Sequence, residues 1–352
     1  MNTTLEAIRS VQLAIIVPIN LLGNGAVCGV VARTPSMQTH MNYLLVNLAI
    51  SDMMVAVFMT LDQVFLHGVA THPAGIAGDY VCKFVTGKLL SWVGSVASVF
   101  TMTAVGFERF YAIVHPLSNR GRITKRVFWR VIIACWVFAC CFNIPLVLVR
   151  VYNTEQARTG YLCRSNWPNV MLAIAYNIAW LLFLGVIPLG IMGYLYSSIV
   201  KTLWFSGKTH EGEATQQVRL KARQRVTKML IIISAIYGLC WLPNLLISVA
   251  SYFVDDGNPA VLSYGYLITE VLVLINSSIN PFVYSIQSQK FRNGVRALVC
   301  CRGSQRIHAK EETAEGSKMC NNNKCVETNL KDISACSSYR DKGVDTSLKD
   351  IA

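Results

Sequence analysis

Glu108 and Arg109 stand side by side in the stretch GFERFYAIVHP. They close an apolar run that starts near Phe84 and carries only Lys88 as a further charge. An adjacent carboxylate and guanidinium lower the cost of taking either out of water, although neighbours on a helix do not face each other ideally. Asp62, Lys88 and Glu270 also lie in largely apolar stretches, in the company of Trp92, Trp180, Tyr264 and Tyr266. One reading has Lys88 bracing a single carboxylate. The other leaves one of the two carboxylates for a basic group on a ligand, an arginine or an amine. Enzyme chemistry finds no foothold: the chain has no HExxH and no nucleophile–base pair. Cys320 and Cys325 lack the further ligands that a zinc site needs. The chain is therefore read as a non-enzyme.

These charges are unusual because of what surrounds them. Of 352 residues, 53% are hydrophobic and 14% charged, whereas a soluble domain carries about a quarter charged residues. Mean hydropathy is +0.42. Seven apolar segments run roughly over 11–33, 41–66, 83–114, 126–149, 170–204, 226–253 and 261–286. Each reaches the ~20 residues that cross a hydrocarbon core. Barrel strands are only half that length, so the expectation is an all-α membrane protein, a seven-transmembrane helix bundle. Pro145, Pro188, Pro243 and Pro281 fall inside the runs and should kink their helices.

The formal net charge of +13 taken alone would fit nucleic acid, but its placement points elsewhere. Arg120, Arg122, Lys125 and Arg126 follow the third run. Lys208, Arg219, Lys221, Arg223, Arg225 and Lys228 follow the fifth, and Lys290, Arg292 and Arg296 the seventh. These are alternate loops on one side, which the positive-inside rule makes cytoplasmic. The partner is the lipid bilayer, and no nucleic acid is expected. The N-terminus, residues 1–10, then lies outside, without a cleavable signal pattern. Asn2 heads a glycosylation sequon there, whereas the sequon at Asn276 is inside a span.

Of twelve cysteines, only Cys82 and Cys163 fall on the oxidising side, outside the helices. A bridge between them would pin the loop before the fifth helix; two free thiols is the alternative. After the seventh run, Phe291, Val295 and Leu298 share one helical face, with Lys290, Arg292 and Arg296 opposite. That predicts a short amphipathic helix at the membrane surface. Cys300 and Cys301 at its end suit S-palmitoylation, against unmodified thiols. The membrane-embedded core with this helix would thus span 11–301. Residues 302–352 are polar and aperiodic, which predicts a disordered cytoplasmic tail. It repeats itself weakly (TNLKDIS, TSLKDIA) and offers Ser317, Ser334, Ser337 and Ser338 for phosphorylation.

Every run also carries a motif, in order: LLGNGAV with Asn24; NLAISD with Asp52; Glu108-Arg109-Phe110; Trp136; Pro188 with Tyr196; CWLP with Trp241 and Pro243; NPFVY with Asn280, Pro281 and Tyr284. Together with the outer cysteine pair, they resemble the rhodopsin-like (class A) G protein-coupled receptors from about residue 11 to 301. The runs around Tyr176, IPLGIMGYLYSSIVKTLW and RVTKMLIIISAIYGLCWLP look like neuropeptide receptors of galanin, RFamide and neuropeptide Y type.

The resemblance implies a plasma-membrane receptor coupling an extracellular ligand, a neuropeptide, to heterotrimeric G proteins, with receptor kinase and arrestin acting on its tail. A lipid or small non-amine ligand is the alternative, and a transporter a remote one that lacks the expected inverted repeats. The pocket would involve Asp62, Lys88, Ser91, Trp92, Trp241 and Glu270. Ser91 stands where amine receptors have aspartate, and Leu274 where opsins have their retinal lysine. Asp52, Ser98, Asn276 and Asn280 match the set that holds a sodium ion or waters; no other cofactor or metal is implied. Glu108, Arg109, Tyr196, Trp241, Pro243, Asn280, Pro281 and Tyr284 would form the activation switch. Four departures stand out. Tyr237 replaces a usual phenylalanine. Arg223 replaces a common acid at the foot of the sixth helix, which predicts raised basal signalling. Cys82 to Arg109 is two residues longer than usual, and the preceding loop lacks its tryptophan.

Overall fold

The computed structural model describes residues 3–61, 65, 71–116, 124–152, 163–205, 214–253 and 259–299. Among these, seven helices are long and apolar enough to cross a membrane. They are α1 (Ala7–Arg33), α2 (His40–Thr60), α3 (Gly75–Val114), α4 (Lys125–Val149), α5 (Val170–Phe205), α6 (Leu220–Ala250) and α7 (Tyr264–Gln287). A shorter helix, α8 (Gln289–Val299), follows. Two three-residue strands, β1 (Arg150–Tyr152) and β2 (Cys163–Ser165), pair antiparallel between α4 and α5. Asn2, Asp62, Cys300, Cys301 and the tail 302–352 lie outside the described residues.

The polarity is inverted relative to a water-soluble fold. Leu22, Ile133, Val137, Leu239 and Ile286 point outward, while Asn20, Asn24, Ser51, Asp52, Ser91 and Ser95 are buried. Hydrocarbon as solvent dictates that arrangement: polar groups find partners only inside the bundle. α3 is the most enclosed span, with α2 packed along it, and α6 packs along α7.

The prolines show how sequence becomes tertiary contact. A proline has no N–H, so the carbonyl four residues earlier loses its helical donor. Pro188 in this way frees the Leu184 carbonyl in α5, and the Tyr237 hydroxyl of α6 donates to it. Pro281 frees the Ser277 carbonyl in α7, and the Asn24 side-chain amide of α1 donates to it at 3.0 Å. Gly23 permits that approach, because a Cβ there would stand 3.0 Å from Pro281 Cγ. Each kink is thus also a bond between helices, the way bundles satisfy freed backbone groups.

α3 begins earlier than the hydropathy pattern implies, at Gly75, and is broken near its start. A π-helical turn over Cys82–Thr86 is followed by Gly87 and by Lys88 in the left-handed region, φ 63°. A Cβ on Gly87 would lie 2.0 Å from the Cys82 carbonyl oxygen. π-Helical turns of this kind recur at functional sites. Cys82 is bonded to Cys163, the bridge anticipated from the sequence. It fastens β2 to α3, and Asp79 Oδ1 accepts from the Tyr152 N–H at 2.7 Å to fasten β1. The hairpin is therefore held on both strands over one end of the bundle.

α8 is amphipathic as expected. Phe291 is buried and Leu298 reaches Gly29 of α1.

Candidate ligand cavity and output switch

Under the hairpin the bundle opens into a cavity of about 540 Å³. Its polar walls come from α3 (Lys88), β1 (Arg150), α1 (Arg9), α6 (Asn244, Ser248) and α7 (Glu270, with Tyr266). Trp92, Trp167, Tyr176 and Trp180 supply apolar surface. The size and the mix of aromatic wall with few polar groups are those of ligand sites. Lys88 Nζ donates to Glu270 Oε1 at 2.7 Å, both side chains less than a quarter exposed. The left-handed backbone at Lys88 turns α3 at the residue that makes this bond to α7.

Asp62, the second carboxylate anticipated for the pocket, lies outside the described residues. Among the described lining residues the cations are Arg9, Lys88 and Arg150, and the anion is Glu270. Arg150 is half-buried, and its Nε has no hydrogen-bond partner. Burial pushes its guanidinium below the ordinary arginine value, with the Glu270 charge the main pull in the other direction. In the sequence Arg150 is a scattered charge behind the fourth run. Its abrupt position after IPLVLV is the one local signal that it caps a span.

Two expected pocket residues sit elsewhere. Ser91 is fully buried and its hydroxyl donates to the Val55 carbonyl of α2 at 3.3 Å. A short hydroxyl in apolar surroundings takes the nearest backbone acceptor. Trp241 lies below the cavity instead of lining it. Its ring is 6.5 Å from Trp92, edge to face, and 5.9 Å from Tyr237, stacked. Trp92 in turn meets Trp180 at 5.5 Å. A contiguous aromatic stack therefore descends from the cavity wall to Tyr237, whose hydroxyl holds the Leu184 carbonyl.

Deeper, Asp52 accepts from Asn280 Nδ2 at 2.7 Å and from the Ser98 hydroxyl at 3.1 Å. Asn276 is buried, but no hydrogen bond joins it to Asp52 among the described residues. Asn24 Oδ1, Asn20 Oδ1 and Asn280 Oδ1 are buried acceptors without partners. A carboxylate with unpartnered oxygen acceptors near it is the donor set that a hard cation or bridging waters would use. On the next level, Trp136 Nε1 donates to Asn47 Oδ1 at 3.0 Å, and Asn47 Nδ2 to Thr101 at 2.8 Å, joining α4, α2 and α3.

At the far end of α3, Arg109 grips Glu108 with two parallel bonds: Nε to Oε2, and Nη2 to Oε1 at 2.7 Å. The neighbouring positions do reach each other, because the long arginine folds back. Both residues line a cleft with Thr39, His40, Ser288 and Lys290. Tyr196 is not at Arg109; its hydroxyl takes a bond from Ser234 at 3.4 Å. Tyr284 is buried, and its hydroxyl has no partner among the described residues. The helix Ala214–Ala250 contains no acidic residue, and Arg223 is exposed.

The comparisons with known proteins agree with this geometry. The profile of the family "7 transmembrane receptor (rhodopsin family)" matches residues 23–284. The Tachykinin-like peptides receptor 86C of Drosophila melanogaster is 27% identical over 305 residues, 84% of this chain and 59% of that protein. The Substance-P receptor of Mus musculus is 30% identical over 292 residues, 82% of this chain and 70% of the other. The RYamide receptor of Drosophila melanogaster is 26% identical over 286 residues, 79% and 60% respectively. The chain thus spans somewhat under two thirds of the two fly proteins. With seven spans in order, a cavity under a disulfide-pinned hairpin and an arginine forked onto its neighbour at the other end, the chain is a multi-pass membrane protein that belongs to the rhodopsin family of seven-transmembrane receptors.

Proposed function

We propose that this protein is a plasma-membrane receptor that binds an extracellular peptide and passes the signal to a heterotrimeric G protein. The observation that carries this reading is the Glu108–Arg109 fork in a cleft at the end of α3 opposite the cavity. An ion pair between side chains can open when a partner protein offers Arg109 new contacts, so it suits a two-state output. The peptide class is supported by what the relatives are called, tachykinin-like, Substance-P and RYamide receptors. The basic alternate loops support a cytoplasmic cleft and an outward cavity. The tail serines fit a receptor kinase and arrestin. Asp52, Ser98 and Asn280 with the Asn24 oxygen would hold a sodium ion. Bound there, it would offset the buried carboxylate and favour the packing of α2, α3 and α7 seen here.

The test is a peptide-library screen on cells expressing the full chain, read by calcium and cAMP, with free fatty acids and small organic molecules as a second arm. A peptide should give a response absent from mock-transfected cells and abolished by Arg109→Ala at equal surface expression. Replacing external sodium by choline should shift that peptide's affinity for the wild type and not for Asp52→Asn. Responses confined to the non-peptide arm would overturn the peptide reading. Equal sodium sensitivity in Asp52→Asn would overturn the sodium site.

A further inference from the structure

Arg150 stands in the cavity wall as a half-buried cation. Its Nε is buried and unpartnered, and among the described residues no carboxylate lies within ion-pair distance of it. Glu270, the acid among the described lining residues, is already engaged by Lys88 at 2.7 Å. Buried charges in proteins are ordinarily paired, because an unpaired one forfeits its hydration without return. The backbone leaves Arg150 little room to escape. It is the first residue of β1, opposite Ser165, on a hairpin held by the Cys82–Cys163 bridge and the Asp79 bond.

We propose that Arg150 is the anchor for a carboxylate carried by the ligand, a free C-terminus or an acidic side chain, so that the receptor takes acidic rather than basic peptides. A guanidinium presents two parallel donors that match a carboxylate, and it stays charged at every physiological pH. Trp167, Tyr176 and Trp180 line the same cavity, which favours an aromatic or aliphatic group next to the acid. Arg9, half-buried at the cavity's edge, adds to the positive field that draws an anion in. Among the described lining residues, a basic ligand would meet Arg9, Lys88 and Arg150 and one acid, Glu270, that Lys88 already engages. The inference rests on the receptor reading above and narrows its ligand.

Two measurements test it. The first uses the purified full chain in detergent with a minimal probe, N-acetyl-tryptophan, against its uncharged amide. The acid should raise the melting temperature more than the amide in the wild type. Arg150→Gln should erase the difference and Arg150→Lys should keep part of it. The second compares acid and amide forms of any library peptide that activates cells. Amidation should cost about 10- to 100-fold in potency on the wild type, the usual worth of a charge-assisted pair, and little on Arg150→Gln. Equal action of acid and amide on the wild type overturns the proposal while leaving a peptide receptor intact. Activation by free fatty acids alone, with the same dependence on Arg150, keeps the anion anchor and removes the peptide.

Discussion

Tyr237 shows how one atom can carry a state. Its hydroxyl is the replacement donor for the Leu184 carbonyl that Pro188 leaves without one. Tyr237→Phe would leave that carbonyl buried and bare, at a cost of about 1–3 kcal/mol. The bond joins α5 to α6 in a conformation where Arg109 is held by Glu108. Its loss is therefore expected to lower the melting temperature of the ligand-free receptor and raise basal signalling. Thermal unfolding in detergent, run beside a surface-normalised signalling assay, checks both; an unchanged melting temperature would remove the latch. The sequence shows the departure at Tyr237, but not its meaning. The hydroxyl's acceptor is defined by a proline on another helix, and only packing brings them together. Arg150 was illegible for the same reason: a lone cation after a span looks like any flanking charge until a cavity is seen beneath it.

At the scale of elements, the spans were legible because lipid allows few solutions: length, apolarity and basic loops determine number and order. Some motif residues meet across or along the helices, Asn280 and Ser98 at Asp52 and Arg109 at Glu108. What hydropathy could not give are the interruptions. The hairpin strands are too short to show a period-two pattern. The break in α3, CKFVTGK, carries no hydropathy signature of its own, and its cause is local: a Cβ on Gly87 would lie 2.0 Å from the Cys82 carbonyl. Gly87→Ala is expected to drive α3, the bridge and the hairpin apart and to prevent delivery to the cell surface. Surface immunodetection of an N-terminally tagged chain tests this. Wild-type levels would mean that the break is adaptable and does not determine where Lys88 sits.

For the whole molecule, the cavity and the Glu108–Arg109 pair sit at opposite ends of α3, with Asp52 and the aromatic stack between them. The hairpin end is closely tied, by a disulfide, the Asp79 bond and the Lys88–Glu270 pair. At the other end no ion pair joins two helices among the described residues. No acid stands on the helix Ala214–Ala250 to reach across to Arg109, and Tyr196 is bonded to Ser234. Arg109 therefore depends on Glu108, a part-exposed pair of the kind worth about 1 kcal/mol or less. With so small a restraint, signalling without ligand is the expected outcome.

The most direct test of this account is ligand-independent G protein activation in cells matched for surface receptor. The wild type should signal above mock-transfected cells, Glu108→Gln should signal more, and Arg109→Ala should fall to the mock level. A wild type and Glu108→Gln both indistinguishable from mock cells, or an Arg109→Ala that signals as the wild type does, would contradict the claim that this ion pair is the receptor's output switch.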